Sequence, residues 1–171
     1  MNDKLKTVIK TIRLELNNDP DGIIIGKIRN GNTEQSDNSN PKIQSYFDFL
    51  KECNGVRCGS IDIFGADIIQ DYQFMVNNIL GGNDKWLYIG QILYEPVVIN
   101  KIDSKVYRFF RGNEDINTDD CLGLFDEFLL NYVFGDKYAE IVPDAEDDEW
   151  YRFLKKIKVE KCEKIYNNKI E

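Results

Sequence analysis

Three strand-like runs follow one another closely in the middle of this chain, and they limit the folds it can adopt more than any other feature. The runs are residues 86–92, 96–102 and 105–110, each rich in β-branched and aromatic residues. Residues 102–105 supply a polar tip between the last two runs, which predicts a β-hairpin. We therefore expect an antiparallel meander at the centre of the fold.

Segments with a helical spacing of apolar residues flank these strands. Before them, the spacing predicts a helix near the N-terminus, a second from Asn40 to residues 54–55, and a third over residues 66–80 with a less regular apolar stripe. After them, it predicts helices over residues 122–133 and from Trp150 onward. This order predicts an α+β fold: an antiparallel sheet of about four to six strands, with helices packed on one face and at the ends.

Two shorter segments complete the expected organisation. Residues 23–25 are three isoleucines that follow a strong turn signal at residues 19–22, and they predict a short buried strand. Residues 60–65 predict another strand after the second helix. At 171 residues the chain matches one domain, and we expect a single domain over residues 1–171.

The residues suited to enzyme chemistry are few. The chain contains no histidine, which removes the commonest general base and the usual partner of a catalytic serine or cysteine. The cysteines, Cys53, Cys58, Cys121 and Cys162, include no pair with the two-residue gap of a zinc knuckle, so we expect no metal site and no cofactor. Three of them lie in or beside apolar helical patterns, which favours reduced thiols. We predict that the protein is not an enzyme.

The sequence also bears on the compartment. The apolar runs are far shorter than the roughly 20 residues that a membrane-spanning helix needs. Residues 1–4 begin a polar, helix-like segment that differs from a signal peptide. We therefore expect a cytoplasmic protein without membrane contact.

The negative charge of the chain is concentrated in one segment. Residues 112–149 carry thirteen acids and one base, a formal charge of −12, whereas the rest of the chain carries +4 and the whole −8. Such a segment repels phosphate backbones and attracts basic proteins, so we expect a basic protein partner and no direct nucleic-acid binding. The alternative, which the sequence favours slightly, is that residues 119–120 and 144–149 are solvated caps of the helices that follow.

We select the acidic clusters and one neighbouring aromatic residue as candidates for contact with a partner. For Trp150, the spacing favours a core position in the last helix over a role as a partner anchor. The candidates are Glu114, Asp115, Asp119, Asp120, Glu146, Asp147, Asp148, Glu149 and Trp150.

Five short motifs occur in a defined order within residues 43–132, roughly half of the chain. They are Tyr46-x-x-Phe49-Leu50-x-x-x-Asn54-Gly55, a strand ending at Phe64-Gly65, Trp86-Leu87-Tyr88-Ile89-Gly90, Ser104-Lys105-Val106-Tyr107 and Phe125-Asp126-Glu127-Phe128-Leu129. Their order and spacing resemble the SUKH superfamily, which groups bacterial immunity proteins with fungal cell-wall assembly regulators of the Smi/Knr type. Residues 136–171 form an extension outside this match.

The resemblance implies a cytoplasmic immunity protein that binds and neutralises the toxin domain of a polymorphic bacterial toxin, often a nuclease, by occlusion. Such toxin domains are frequently basic, so the acidic segment would complement them. Two alternatives stay open. One is a regulatory or scaffold adaptor that binds another protein. The less favoured one is a carboxylate-dependent glycosidase, because solvated acids lack the burial that raises a catalytic pKa.

Overall fold

The computed structural model describes residues 1–32, 40–110 and 120–167, with side chains described as far as residue 158. Its centre is an antiparallel sheet whose strands lie side by side in chain order. Seven strands occur among these residues: β1 (Gly26–Ile28), β2 (Val56–Cys58), β3 (Ile61–Ile63), β4 (Trp86–Ile92), β5 (Glu95–Asn100), β6 (Lys105–Arg108) and β7 (Cys121–Leu124). The fold is α+β, as the sequence predicts, with one strand more than the expected range.

Helices precede, interrupt and follow the sheet, and α1, α3 and α8 confirm three of the predicted helices. The α-helices of the described residues are α1 (Asp3–Asn18), α2 (Gly22–Ile25), α3 (Gln44–Glu52), α4 (Ile69–Tyr72), α5 (Gly82–Lys85), α6 (Phe125–Phe128), α7 (Tyr138–Ile141) and α8 (Glu149–Asn167). Tighter 3₁₀ turns cover Pro41–Ile43, Gln73–Val76 and Ala145–Asp147, and a π-helical turn, Leu129–Val133, continues α6.

The segment around α3 shows how local sequence sets a helix. At its start, the side chain of Asn40 accepts the backbone N–H of Lys42 at 2.9 Å, as a capping residue does. Past its end, Gly55 has a φ of +89°, a left-handed conformation that glycine adopts without strain. Tyr46 is fully buried and donates its hydroxyl to the carbonyl of Phe64 at 2.7 Å. The first of the five motifs, which begins at Tyr46, therefore contributes to the core.

The sheet is buried most deeply along β4. Residues 86–90 are buried in succession, and because neighbouring strand residues point to opposite faces, both faces of β4 are covered there. Part of this cover comes from the connection between β3 and β4. The amide of Gln73 bonds to the backbone N–H and C=O of Tyr88, and the ring of Phe64 packs edge-on against Tyr88.

The predicted long helix over residues 66–80 is wrong in its extent. The chain instead forms α4 and then a 3₁₀ turn, and the side chains of Phe74 and Leu80 are exposed. Gln73 lies between the two pieces and uses its side chain to bond to β4. The irregular apolar stripe in the sequence reflects this broken path over the sheet.

Residues 121–124 form a strand instead of the start of a helix. β7 pairs with β6, and the carboxylate of Glu127 accepts the N–H of Leu124 at 2.9 Å, so the helix begins only at Phe125. Asp120 therefore precedes a strand, and its predicted role as a helix cap is wrong. Asp119 lies outside the described residues.

The cysteines whose side chains are described carry free thiols. Cys53 and Cys58 are fully buried, and Cys121 is half-buried. Burial raises the pKa of Cys53 to about 11, even though a guanidinium nitrogen of Arg13 lies 3.2 Å from its sulfur, and burial also raises the pKa of Cys58. The prediction of buried, reduced thiols agrees with Cys53 and Cys58, whereas Cys121 is free but only half-buried.

Candidate protein-binding surface

The acidic residues 146–149 join α7 to α8 and lie against the turn between β2 and β3. Two of them are highly exposed: the side chains of Asp147 and Glu146 retain 91% and 75% of their accessible surface. Glu149, in the first turn of α8, is also exposed. This part of the acidic segment is therefore accessible to a partner.

Several acids of this region pair with bases of α8 or of the segment before α7. The ammonium of Lys155 donates to both carboxylate oxygens of Glu146, at 2.6 and 2.8 Å, and Arg152 lies 3.6 Å from Asp147. Exposed pairs of this kind contribute only about 0.2–1 kcal/mol each, so an incoming base can replace them. The other pairs are Asp136 with Lys158 and Glu140 with Lys137.

Asp148 differs from its neighbours because its carboxylate is used inside the fold. Oδ1 accepts the N–H of Trp150 at 2.9 Å, and Oδ2 accepts the hydroxyls of Ser60 and Tyr138, each at 2.8 Å. Burial raises the pKa of the Tyr138 phenol, which keeps the proton that it donates. The capping interpretation is confirmed for Asp148, which also fixes the start of α8 to the β2–β3 turn.

Trp150 belongs to the core, which corrects its selection as a partner anchor. Its side chain is fully buried, and its indole N–H donates to the carbonyl of Val133 at 2.8 Å. The ring packs so closely on β1 that a Cβ added at Gly26 would lie 2.8 Å from it. The core interpretation from helical spacing is confirmed.

The remaining candidates lie elsewhere. Asp120 precedes β7, which is the edge strand farthest from β1, whereas residues 146–149 pack on the β2–β3 turn. Glu114, Asp115 and Asp119 lie outside the described residues. The described residues thus include the second predicted acidic cluster in full and only Asp120 of the first.

The isoleucines at 23–25 form α2, and their predicted burial as a strand is wrong. The backbone N–H groups of Ile24 and Ile25 both bond to the carbonyl of Asp21, which closes a local helical turn. The side chains of Ile23 and Ile24 remain 86% and 69% exposed. A guanidinium nitrogen of Arg57 donates to the carbonyl of Ile23 at 2.8 Å and holds this apolar pair against β2.

A groove of about 750 Å³ lies between α2 and the first turns of α8. Its apolar lining includes Ile24 and Phe153, and charged side chains of both signs stand around it. At one edge, the ammonium of Lys156 lies 3.1 Å from the carboxylate of Asp19. The backbone N–H of Asp21 and the Lys156 ammonium lower the pKa of the Asp19 carboxyl. The groove borders the exposed isoleucines.

A second exposed apolar pair forms the two-residue turn between β4 and β5. Leu93 and Tyr94 retain 42% and 71% of their accessible surface. The backbone N–H of Leu93 donates to the carbonyl of Ser60 at 2.9 Å, and the hydroxyl of Ser60 donates to Asp148. This turn is therefore linked through two hydrogen bonds to the acidic residues 146–149.

These features meet at one end of the sheet. Gly26 pairs with Cys58, Cys58 with Ile61, and Ile61 with Ile92, so the start of β1 and both turns share that end. We call this surface the Ser60 end, and it comprises Ile23, Ile24, Leu93, Tyr94, Glu146, Asp147 and Glu149. Exposed apolar side chains rimmed by charged ones are typical of protein interfaces.

Sequence reasoning found the acids of this surface but missed its apolar members. For residues 23–25, the signal that could have indicated exposure is the turn at residues 19–22, which continues into a helical turn. For Leu93 and Tyr94, the signal is a two-residue gap between strands without the usual asparagine or glycine.

Within the described ranges, no helix combines the length and apolar character needed to cross a membrane. In the same part of the chain, no group of three or more histidine, cysteine or acidic side chains could hold a metal ion. Comparison of the sequence with protein-family models and with curated proteins finds no match in either set.

Proposed function

We propose that this chain is an immunity protein that binds the toxin domain of a bacterial toxin and blocks it by occupying its surface. The observation that carries the proposal is the Ser60 end, where four large exposed apolar side chains share one end of the sheet with exposed carboxylates. Apolar side chains supply the buried centre of a stable interface, and a charged rim selects the partner. The motif order that resembles the SUKH superfamily, which includes bacterial immunity proteins, also supports this proposal.

The charge of this surface indicates a basic partner. A toxin domain that acts on nucleic acid needs bases to hold phosphates, and carboxylates on an inhibitor would steer it toward those bases. The pairs that Glu146 and Asp147 make with α8 do not prevent this, because exposed ion pairs exchange partners at little cost. Asp148 takes no part, since its carboxylate holds the fold together.

Co-expression tests this proposal. The chain is produced together with the toxin domain encoded by its neighbouring gene, and both cell survival and complex formation are measured. We expect survival and a stable complex, whereas the toxin domain alone kills the cells. Death of cells that contain the folded chain at equal or higher level would contradict the proposal. A complex without rescue would favour the adaptor function instead.

A charge variant tests the role of the acids. Replacement of Glu146, Asp147 and Glu149 by serine should slow association with the toxin domain about tenfold at low salt and weaken its salt dependence, because electrostatic steering is lost. Stopped-flow or surface-based binding kinetics at several salt concentrations measure this effect. Asp71→Ser, which removes one exposed acid on α4, is a single-charge control and should leave the association rate unchanged. Equal rates for both variants would show that residues 146–149 are only solvated.

A further inference from the structure

The turn between β4 and β5 has a backbone that does not suit its residues. Leu93 and Tyr94 have φ values of +50° and +71°, so both lie in the left-handed region. Two-residue hairpin turns require this geometry, and asparagine and glycine are the residues that adopt it readily. A branched leucine and an aromatic tyrosine are strained there, since their Cβ atoms crowd the backbone.

No buried side-chain packing of the described residues compensates for this strain, although the N–H of Leu93 donates to the carbonyl of Ser60. The two side chains are among the exposed large hydrophobic residues of the chain and do not belong to the buried core. Strained backbone in folded proteins is concentrated at sites of function. The combination of strain and exposure therefore makes this turn a candidate for contact with another molecule.

The next hairpin turn is held by polar side chains that the Leu93–Tyr94 turn lacks, although Ser104 there also has a positive φ of +68°. Between β5 and β6, the side chain of Asn100 accepts the N–H of Ile102 at 2.8 Å, and the side chain of Asp103 accepts the N–H of Lys105 at 2.9 Å. Asparagine and aspartate are favoured in turns for this reason. Ile102 is exposed at that tip, at the opposite end of the sheet, and provides an internal reference.

The shape and surroundings of the Leu93–Tyr94 turn restrict what it can bind. It is the tip of a hairpin and thus convex, so its partner surface is concave. Hydrogen bonds through Ser60 join this turn to the segment that carries Glu146 and Asp147. The negative charge of these two residues favours basic residues around the concave surface of the partner. A cleft that processes nucleic acid has this composition, with bases for the phosphates and apolar or aromatic surfaces for the nucleobases.

We propose that Leu93 and Tyr94 insert into the substrate cleft of the toxin domain, with Tyr94 against its apolar floor and the acids near its basic rim. This inference rests on the proposed immunity function and specifies how it blocks the toxin. Insertion places a side chain where the substrate would lie. The toxin is then inhibited by direct occupation of its cleft.

The test replaces the turn by the sequence that its backbone prefers. Leu93→Asn combined with Tyr94→Gly should raise the melting temperature by about 2–4 °C, since strain is removed. The same variant should bind the toxin domain at least about 30-fold more weakly in calorimetry, as loss of a central aromatic anchor does. Tyr94→Phe keeps the ring and should bind within about threefold of the unaltered chain. Ile102→Ser, at the other hairpin tip, should change neither affinity nor inhibition.

Each contrary result has a distinct meaning. Unchanged affinity of the Asn-Gly variant would overturn the insertion and leave the proposed function standing. An unchanged or lower melting temperature would overturn the strain on which the inference depends. If the variant alters self-association of the chain in light scattering without affecting toxin binding, the tip contacts a second copy and the inference is wrong. Failure of the unaltered chain to bind the toxin domain would overturn the proposed function together with this inference.

Discussion

Residues 146–150 are close neighbours in the chain, but the two ends of this run have opposite physical roles. At one end, Glu146 and Asp147 are exposed and make ion pairs with bases of α8. At the other end, Asp148 receives three hydrogen bonds and Trp150 is fully buried. An acidic run in a sequence is therefore not one surface. One residue in it can be structural while its neighbour stays accessible to a partner.

The difference follows from what each carboxylate has available nearby. The carboxylate of Asp147 pairs with the exposed guanidinium of Arg152, and an exposed pair of this kind gives little stability. Asp148 has the hydroxyls of Ser60 and Tyr138, which are held in place by the sheet and by each other, since the N–H of Ser60 donates to the Tyr138 hydroxyl at 2.9 Å. Fixed donors stabilise a carboxylate without the loss of side-chain freedom that a surface pair requires.

The largest effect is expected at the buried end. Trp150→Ala should lower the free energy of unfolding by about 3–5 kcal/mol, because it opens a cavity against β1 and leaves the carbonyl of Val133 without its donor. Urea unfolding followed by circular dichroism measures this loss. Trp150→Phe retains most of the apolar contact and should cost less than the alanine variant. A loss below about 1 kcal/mol for alanine would contradict the core assignment.

A smaller effect is expected at Asp148, which can be compared directly with its neighbour Asp147. Asp148→Ala should lower the free energy of unfolding by about 1–3 kcal/mol, because it removes the helix cap and the acceptor of the Ser60 hydroxyl, and leaves the Tyr138 hydroxyl only its longer contact with the Cys58 carbonyl. Asp147→Ala is the neighbouring control and should stay within about 0.5 kcal/mol of the unaltered chain. Equal losses for the two variants would remove the distinction between the ends.

The smallest effect concerns the exposed ion pairs around α8 and their dependence on pH. The backbone N–H of Asp21 and the ammonium of Lys156 lower the pKa of the Asp19 carboxyl in the folded chain. The contribution of Asp19 to stability is therefore complete above the unfolded pKa of about 4 and is lost as the pH falls through the lower folded value. Thermal melts between pH 5 and pH 2 should show a shallower decline for Asp19→Asn than for the unaltered chain.

A second variant separates the two causes of this shift. Lys156→Gln removes the ammonium but keeps the backbone N–H of Asp21, which is the larger cause, so it should flatten the decline less than Asp19→Asn does. A flattening as large as that of Asp19→Asn would show that the ion pair, and not the backbone hydrogen bond, dominates.

Elements with a clear local period could be predicted from the sequence. α1, α3, α8 and the β5–β6 hairpin lie where the apolar spacing and the turn residues place them. The apolar spacing gave a wrong prediction where other hydrogen bonds determined the local structure. Residues 23–25 follow the hydrogen bonds of the turn before them, and residues 121–124 follow their pairing with β6. The second case needs information from a distant strand, which a window of sequence does not contain.

The candidate site also has a part that the sequence predicts and a part that it does not. The exposed acids were predicted because charge is visible in composition. The structural role of Asp148 depends on Ser60, which lies 88 positions earlier, so no local pattern reveals it. Leu93 and Tyr94 are exposed because they form the two-residue turn between β4 and β5. Their strain is visible only in the backbone angles. Leu93 and Tyr94 are proposed for binding because their backbone and exposure disagree with the local rules.

The buried thiols of Cys53 and Cys58 make the chain a reporter of its own opening. A thiol with a pKa of about 11 is almost entirely protonated at neutral pH, and a fully buried one is also closed to reagents. With Cys121 and Cys162 replaced by serine, the rate of alkylation would follow the fraction of molecules in which the core is transiently exposed. The alkylation rate of these two thiols thus measures how often the core opens under conditions in which the folded state predominates.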